Sequence, residues 1–420
     1  MLDRSVPPVF NDIKEFHLVQ AESHQLANGI PIHTINIDQQ PVVKLELIIP
    51  AGQWYESTTG QSYFAIKMLS EGTETRTSKY ISNRFDQYGA FLELNPGFDH
   101  VTVTLYTLSK YLDELLPLLA EITYGSNFPA QELETLKSVK RQKIKVDQEK
   151  NSYLASRKFR EQIFGPNHPY GSYLQEKHLD QIDRQSLLEF EKKRIPGPFE
   201  ILLSGSIASS TLTMIDQHFG GIPTGNDQSA PQFNYTYKPE RIQIEKENSL
   251  QTSIRVGKPL FKRDHKDHID MLVLNEILGG YFGSRLMRNI REEKGYTYGI
   301  GSYVATLVQE GFWMISTDVK KEFRDNTISE IFKEMKLLTQ HMVGQKELKT
   351  IKNYMLGSFL SEINTPFALA EKFKNVHFYG LTYEYYHKLF NRISVIEGRD
   401  LLQLAQKHWQ EDSLSVVTVG

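Results

Sequence analysis

The chain has 420 residues, 48 Lys+Arg against 51 Asp+Glu, a formal net charge of −3 and no cysteine. The length predicts more than one domain, and the balanced charge leaves no basic excess to neutralise a phosphate backbone, which argues against nucleic-acid binding. Without cysteine there is no disulfide, thiolate nucleophile, iron–sulfur cluster or Cys-ligated zinc, so any metal would need His, Asp or Glu.

The chain opens MLDRSVPPVFNDIKEF, with early charges, two prolines and no apolar stretch, which is not a secretory signal. No run approaches the ~20 apolar residues of a membrane span. The most apolar early stretch, residues 41–51, contains Lys44 and Glu46. A soluble protein is expected, in the cytoplasm, or in the periplasm if a leader has been processed.

Residues 42–48 (VVKLELI) alternate as a strand, residues 63–69 form an apolar helix, and residues 78–88 form an amphipathic helix stopped by Gly89. Strands at 90–94 and 101–107, a long helix over 131–164 and a β-rich run at 201–204 complete this series. Residues 220–239 (GGIPTGNDQSAPQFNYTYKP) read as a linker. Beyond it the order repeats: a strand at 252–257, an apolar helix at 269–278 and an amphipathic helix at 284–294 stopped by Gly295. Strands at 296–303 and 312–317, a long helix at 345–363 and a closing strand at 415–418 follow. One order of elements, repeated, predicts a duplicated α+β unit of about 210 residues. Strands and helices do not strictly alternate, so each unit should be a mixed, mostly antiparallel sheet flanked by helices. The expected architecture is two homologous lobes, 1–228 and 229–420, forming a clamshell with the binding site in its cleft.

Residues 60–73 read GQSYFAIKMLSEGT. This segment resembles the signature helix of the insulinase/pitrilysin-like metallopeptidases, the H-x-x-E-H inverzincins, in their processing-peptidase-like branch. Phe64, Met68, Leu69, Gly72 and Thr73 keep the family's frame. Further landmarks agree in order: HPYG at 168–171, Gly205 after a strand, FGGIP at 219–223, LGG at 278–280, SRL at 284–286 and REEKG at 291–295. The resemblance places the family's two zinc histidines on Tyr63 and Lys67 and its catalytic glutamate on Ile66. The third ligand, a glutamate on the next long helix, falls on Lys143 or Gln142, with the gap-free alignment favouring Lys143. An ammonium has donors and no lone pair, whereas zinc needs lone-pair ligands at about 2.0–2.2 Å and a base to activate water. No zinc peptidase activity is expected of this chain alone, and it is expected to carry no cofactor. Lys67 and Lys143 should both approach the vacated position, with Glu71 and Glu93 as the nearest carboxylates.

The one dense histidine group, Asp264-His265-Lys266-Asp267-His268, reads as a polar helix start. His168 reads as a turn or packing residue, and the remaining histidines are scattered without ligand spacing. Arg291, near the end of an amphipathic helix, and Tyr298, on the next strand, resemble the arginine–tyrosine pair that the family places in the half opposite the zinc helix. Alternation would put Tyr296, Tyr298 and Ile300 on one strand face. On their own, both residues read as a solvated helix end and a packed aromatic. The resemblance implies contact with the substrate near the scissile bond, where preorganised donors stabilise an oxyanion.

The resemblance therefore implies the non-zinc subunit of a heterodimeric metallopeptidase. Its partners would be a homologous H-x-x-E-H subunit holding the zinc and an extended peptide bound by strand addition, with a homodimer when the chain is alone. The active family carries an Asn-Ala signature on that sheet edge, and residues 88–94 (YGAFLEL) lack it. The alternative is a catalytically inert scaffold or peptide-binding protein of the same fold. A hydrolase using another nucleophile finds no G-x-S-x-G elbow and no cysteine to support it.

Overall fold

The computed structural model describes residue 13 and residues 15–195, 199–223 and 230–420. Its strands are β1 (Glu22–Gln25), β2 (Pro31–Asn36), β3 (Val42–Ile49), β4 (Phe91–Asn95), β5 (Val101–Leu108) and β6 (Glu200–Gly205), then β7 (Arg241–Ile244), β8 (Gln251–Leu260), β9 (Thr297–Thr306), β10 (Gly311–Lys320) and β11 (Ser415–Val419). The first half carries helices α1 (Gln61–Met68), α2 (Ser78–Gln87), α3 (Leu112–Tyr124), α4 (Ala130–Gln148), α5 (Asn151–Phe164), α6 (Glu176–Leu179), α7 (Arg184–Arg194) and α8 (Thr211–Phe219). The second carries α9 (His268–Asn275), α10 (Arg324–Gln340), α11 (Gln345–Ser361), α12 (Pro366–His377), α13 (Glu384–Val395) and α14 (Gly398–His408).

Sheet topology establishes the duplication. The strand orders are β1-β2-β6-β3-β5-β4 and β7-β11-β8-β10-β9. Apart from the extra β1, the two orders superpose strand for strand. In each sheet one parallel pair, β2 with β6 and β7 with β11, sits beside antiparallel neighbours. The proposed boundary between 228 and 229 lies outside the described residues.

The halves interlock. Each sheet packs its own helices on one face, around Phe64, Leu105 and Leu203 in the first half and Val256, Trp313 and Ile315 in the second. The opposite face receives a helix from the other half. Helix α5 lies on β8 and β11, and α12 lies on β6 and β2. Phe159 and Phe164 are thereby buried with Met314 and Val417, and Phe373 with Ile35 and Leu202. These exchanges explain why the helix expected over 131–164 is two helices. The backbone turns extended at Lys150 (φ −87°, ψ 118°), and the second half anchors the start of α5. The Asn151 amide donates to Ser249 Oγ (2.6 Å) and Gln251 O (2.7 Å), while buried Arg255 donates to Ser152 O (3.2 Å) and Ser156 Oγ (3.0 Å).

The stretch read as a linker, 220–239, has no helix or strand among its described residues 230–239. Residues 224–229 lie outside the described residues, but residues 230–240, though irregular, are packed. Trp54 Nε1 donates to Pro231 O (2.8 Å), and Phe233, Tyr235 and Tyr237 lie against the cluster between the halves. Aromatic side chains give this stretch apolar area to bury, which a tether of Gly and Ser lacks.

Candidate functional site

Helix α1 is held at its start. Gly60 has φ +103°, a conformation that suits glycine, and an added Cβ would sit 2.7 Å from Leu174 Cδ1. The Glu56 carboxylate accepts from the N–H groups of Gly60 and Ser62, both at 2.9 Å, covering donors that a helix start leaves open. Burial pushes this carboxyl up to about 7, against the pull of those N–H donors.

Ile66 is buried in the first-half core beside Phe64 and Met68, so the position of the family's base holds no proton acceptor. Tyr63, half-buried, packs against the margin of that core, and Lys67 is also half-buried. Lys67 Nζ donates to Leu94 O at 2.5 Å. Burial and the neighbouring Lys143 ammonium lower its pKa, and Glu93 opposes them. Lys143 and Glu93 are thus near enough to Lys67 to act on its charge. Glu71 Oε2 instead accepts from Ser78 Oγ (3.0 Å) at the start of α2. Gln142, the other position the resemblance allows for the third ligand, is exposed like Lys143 but lies off the helix side shared by Lys140 and Lys143.

Sequence reasoning missed Lys140. Its Nζ lies 3.9 Å from the centroid of the Tyr63 ring, and its spacing of three from Lys143 was the available signal. Burial lowers Lys140 to about 8, helped by Lys143, Arg157 and Lys67 and opposed by Asp147. Tyr63, Lys140, Glu56, Phe98 and Leu174 line a cavity of about 300 Å³. Lysine ammonium groups thus gather beside α1. This donor set does not fit zinc.

The repulsion has a measurable cost. A lysine pKa lowered on folding means that the unfolded chain binds more protons than the native chain between about pH 8 and the ordinary value near 10.5, so stability rises across that window. Lys140→Met is expected to stabilise the protein by about 1 kcal/mol below pH 8, after discounting for solvent screening and the lost ring contact. The gain should fade as pH approaches 10.5. Urea midpoints at pH 7 and pH 10 check this, and equal shifts at both would contradict it.

In the second half, Arg291 lies within a π-helical turn over Met287–Glu293, a wide turn often found at functional sites. Its charged neighbours are used structurally: Arg285 grips Glu347 through Nε (2.9 Å) and Nη2 (2.8 Å), and Lys294 meets Glu330 at 3.3 Å. Arg291 has no ion pair among the described residues. Its guanidinium lies 4.6 Å from the ring of Phe282, itself 65% exposed. Tyr298 is 95% exposed and its hydroxyl has no hydrogen-bond partner among the described residues. The expected shared face is not observed. Between Ile300↔Thr317 and Thr297↔Val319, β9 carries one residue more than β10. This bulge interrupts alternation, so Ile300 is buried while Tyr298 stands in solvent, and Tyr296 stacks on Phe323 instead. No hydrogen bond joins Arg291 to Tyr298.

His168 and the group at 264–268 make structural contacts. His168 stacks on Phe164 and its Nδ1 accepts from Tyr170 N (3.1 Å). Asp267 precedes α9 and meets Lys407 and His408.

A twofold-repeated α+β fold with Tyr, Ile and Lys at the ligand and base positions of its signature helix defines a metallopeptidase-like protein without the family's metal site. Comparison with known proteins agrees. A family model described as "Insulinase (Peptidase family M16)" matches residues 32–168, and one described as "Peptidase M16 inactive domain" matches residues 181–355. The chain belongs to the insulinase, or M16, peptidase family. Relatives include the "Uncharacterized zinc protease YmxG" of Bacillus subtilis, 24% identical over 92% of this chain and 95% of that one. The "Non-peptidase homolog YmxG" of Helicobacter pylori is 23% identical over 84% and 83%. Among solved structures, the peptidase M16 inactive domain from Pseudomonas fluorescens matches with a TM-score of 0.87, at 24% identity over 95% of this chain and 98% of that one. A protease from Helicobacter pylori matches with the same TM-score at 16% identity, over 96% and 100%. No helix among the described residues is long and apolar enough to cross a membrane.

Proposed function

We propose that this chain is the zinc-less subunit of a two-chain M16 peptidase, lending Arg291 and Tyr298 to the H-x-x-E-H site of a homologous partner that holds the zinc. The observation that carries this reading is the state of the pair. A guanidinium without a carboxylate and a phenol 95% exposed stand at the border of β9, the edge strand of its sheet. Both keep their donors free for a group outside the chain. An edge strand also has unpaired backbone groups to which an extended peptide can add. In peptide hydrolysis the developing oxyanion would draw on these donors, while the partner's metal and base supply the attacking water.

A second reading, a peptide-binding protein or scaffold with no part in chemistry, draws on the cationic pocket beside α1 and on the name of the Helicobacter pylori relative. The test is to combine the purified chain with an H-x-x-E-H homologue and follow cleavage of unstructured peptides. Activity that needs both chains and is lost to a chelator supports the first reading. Association without added activity supports the second.

A further inference from the structure

Three side chains far apart in sequence meet where the halves interlock. His33 lies on β2 and Glu200 opens β6. His33 is in register with Leu202, two residues from Glu200, so His33, Leu202 and Glu200 share one face of the sheet. This is the face that α12 covers, and the last turn of α12 brings in His377. His33 Nε2 lies 2.8 Å, and His377 Nε2 2.6 Å, from the same oxygen, Glu200 Oε2. Helix α1 lies on the other side of the sheet, packed in the core that holds Ile201 and Leu203.

We propose that His33, Glu200 and His377 form a binding site for a divalent transition metal, zinc foremost, that fastens the two halves of the chain together. Two imidazole nitrogens and one carboxylate oxygen are the donors that zinc takes, whereas calcium and magnesium favour all-oxygen sets. The potential ligand atoms lie within 4.8 Å of one another. Outer contacts already orient them. Ser23 Oγ lies 2.8 Å from His33 Nδ1; with a proton on Nδ1 donated to that hydroxyl, the Nε2 lone pair faces the cluster. Phe373 packs against both rings, with centroids 4.6 Å from His33 and 4.7 Å from His377.

The site also has an entrance. The side chains of Glu200 and His377 are 27% and 34% exposed, against 6% for His33. Water can therefore supply a fourth ligand. Tetrahedral ligation at about 2.0–2.1 Å sets donors roughly 3.3 Å apart, so the histidine–carboxylate separations of 2.8 and 2.6 Å must open by about 0.5–0.7 Å. The two half-exposed side chains can make that movement.

The test uses the full chain, stripped with a chelator and titrated with Zn²⁺ by calorimetry. One equivalent is expected to bind with a dissociation constant of about micromolar or tighter, and the unfolding temperature should rise with zinc concentration. Glu200→Gln and His377→Gln, which keep size and a hydrogen-bonding group, should each weaken binding about tenfold to a hundredfold or more. Co²⁺ bound to the unaltered chain should show the intense visible absorption of a four-coordinate site, a readout independent of how the variants fold. No saturable Zn²⁺ binding, binding untouched by both substitutions, or only the weak spectrum of solvated Co²⁺ would each overturn the assignment. None of these readouts depends on a partner subunit or on peptidase activity.

Discussion

With an H-x-x-E-H partner present, Arg291→Ala combined with Tyr298→Phe is expected to cut peptide hydrolysis by about 10²–10³-fold and to leave the fold unchanged. The magnitude is that of removing one preorganised oxyanion donor, ~2.7–4 kcal/mol of transition-state stabilisation. Stability should be nearly unaffected, because Tyr298 is 95% exposed and Arg291 touches mainly the exposed ring of Phe282. Surface changes of this kind stay within about 0.5 kcal/mol. The loss should fall on kcat rather than on KM alone if the donors act on the transition state. Mixed-subunit kinetics beside a thermal melt checks both halves of the statement. Unchanged turnover with an unchanged melt would sink the catalytic role and favour the scaffold reading.

Glu46→Leu is expected to destabilise the protein by about 3–5 kcal/mol, the cost of leaving a buried charge without its partner. Glu46 is 2% exposed and Lys44 5%. Their side chains alternate in a ring with two residues of α12: Lys44 Nζ meets Glu46 at 2.9 Å and Glu371 at 3.0 Å, and Lys374 Nζ meets Glu46 and Glu371 at 2.7 Å each. Burial would lower the Lys44 pKa, but Glu46 and Glu371 outweigh it and hold it above its ordinary value. Without Glu46, the buried Lys44 keeps only the half-exposed Glu371, which Lys374 shares. Adding Lys44→Met should restore most of the stability, since a buried ion pair replaced by apolar groups of similar volume is often neutral. Urea unfolding of the single and double variants measures this coupling. A double variant as unstable as the single one would contradict it.

Both predictions bear on what sequence reasoning could see. Element order was legible because it depends on local pattern: alternation for strands, a 3.6-residue period for helices, and glycine at helix stops. Gly89 and Gly295 do adopt positive φ, +59° and +65°. The degenerate signature helix was legible because its frame of Phe64, Met68, Gly72 and Thr73 survives around the changed residues. Local pattern does not reveal that Lys44 and Glu46, polar residues in an alternating strand, are buried. In β3 every residue from Val43 to Ile49 is buried, because α12 covers the face that Lys44 and Glu46 occupy. Likewise, strict alternation would have hidden Tyr298 beside Ile300, and a one-residue bulge in β9 exposes it.

The sequence by itself determined that this protein is a duplicated α+β chain of the M16 family whose first half lacks ligands for the family's zinc. Both conclusions rest on which residues stand at fixed local spacings. Tertiary structure alone decided how the halves hold one another and which polar groups meet. His33, Glu200 and His377 are separated by 167 and 177 positions along the chain, and the ion ring spans more than 300, from Lys44 to Glu371. No local period encodes such meetings. They arise because each sheet has a second apolar face, which only a helix from the opposite half covers.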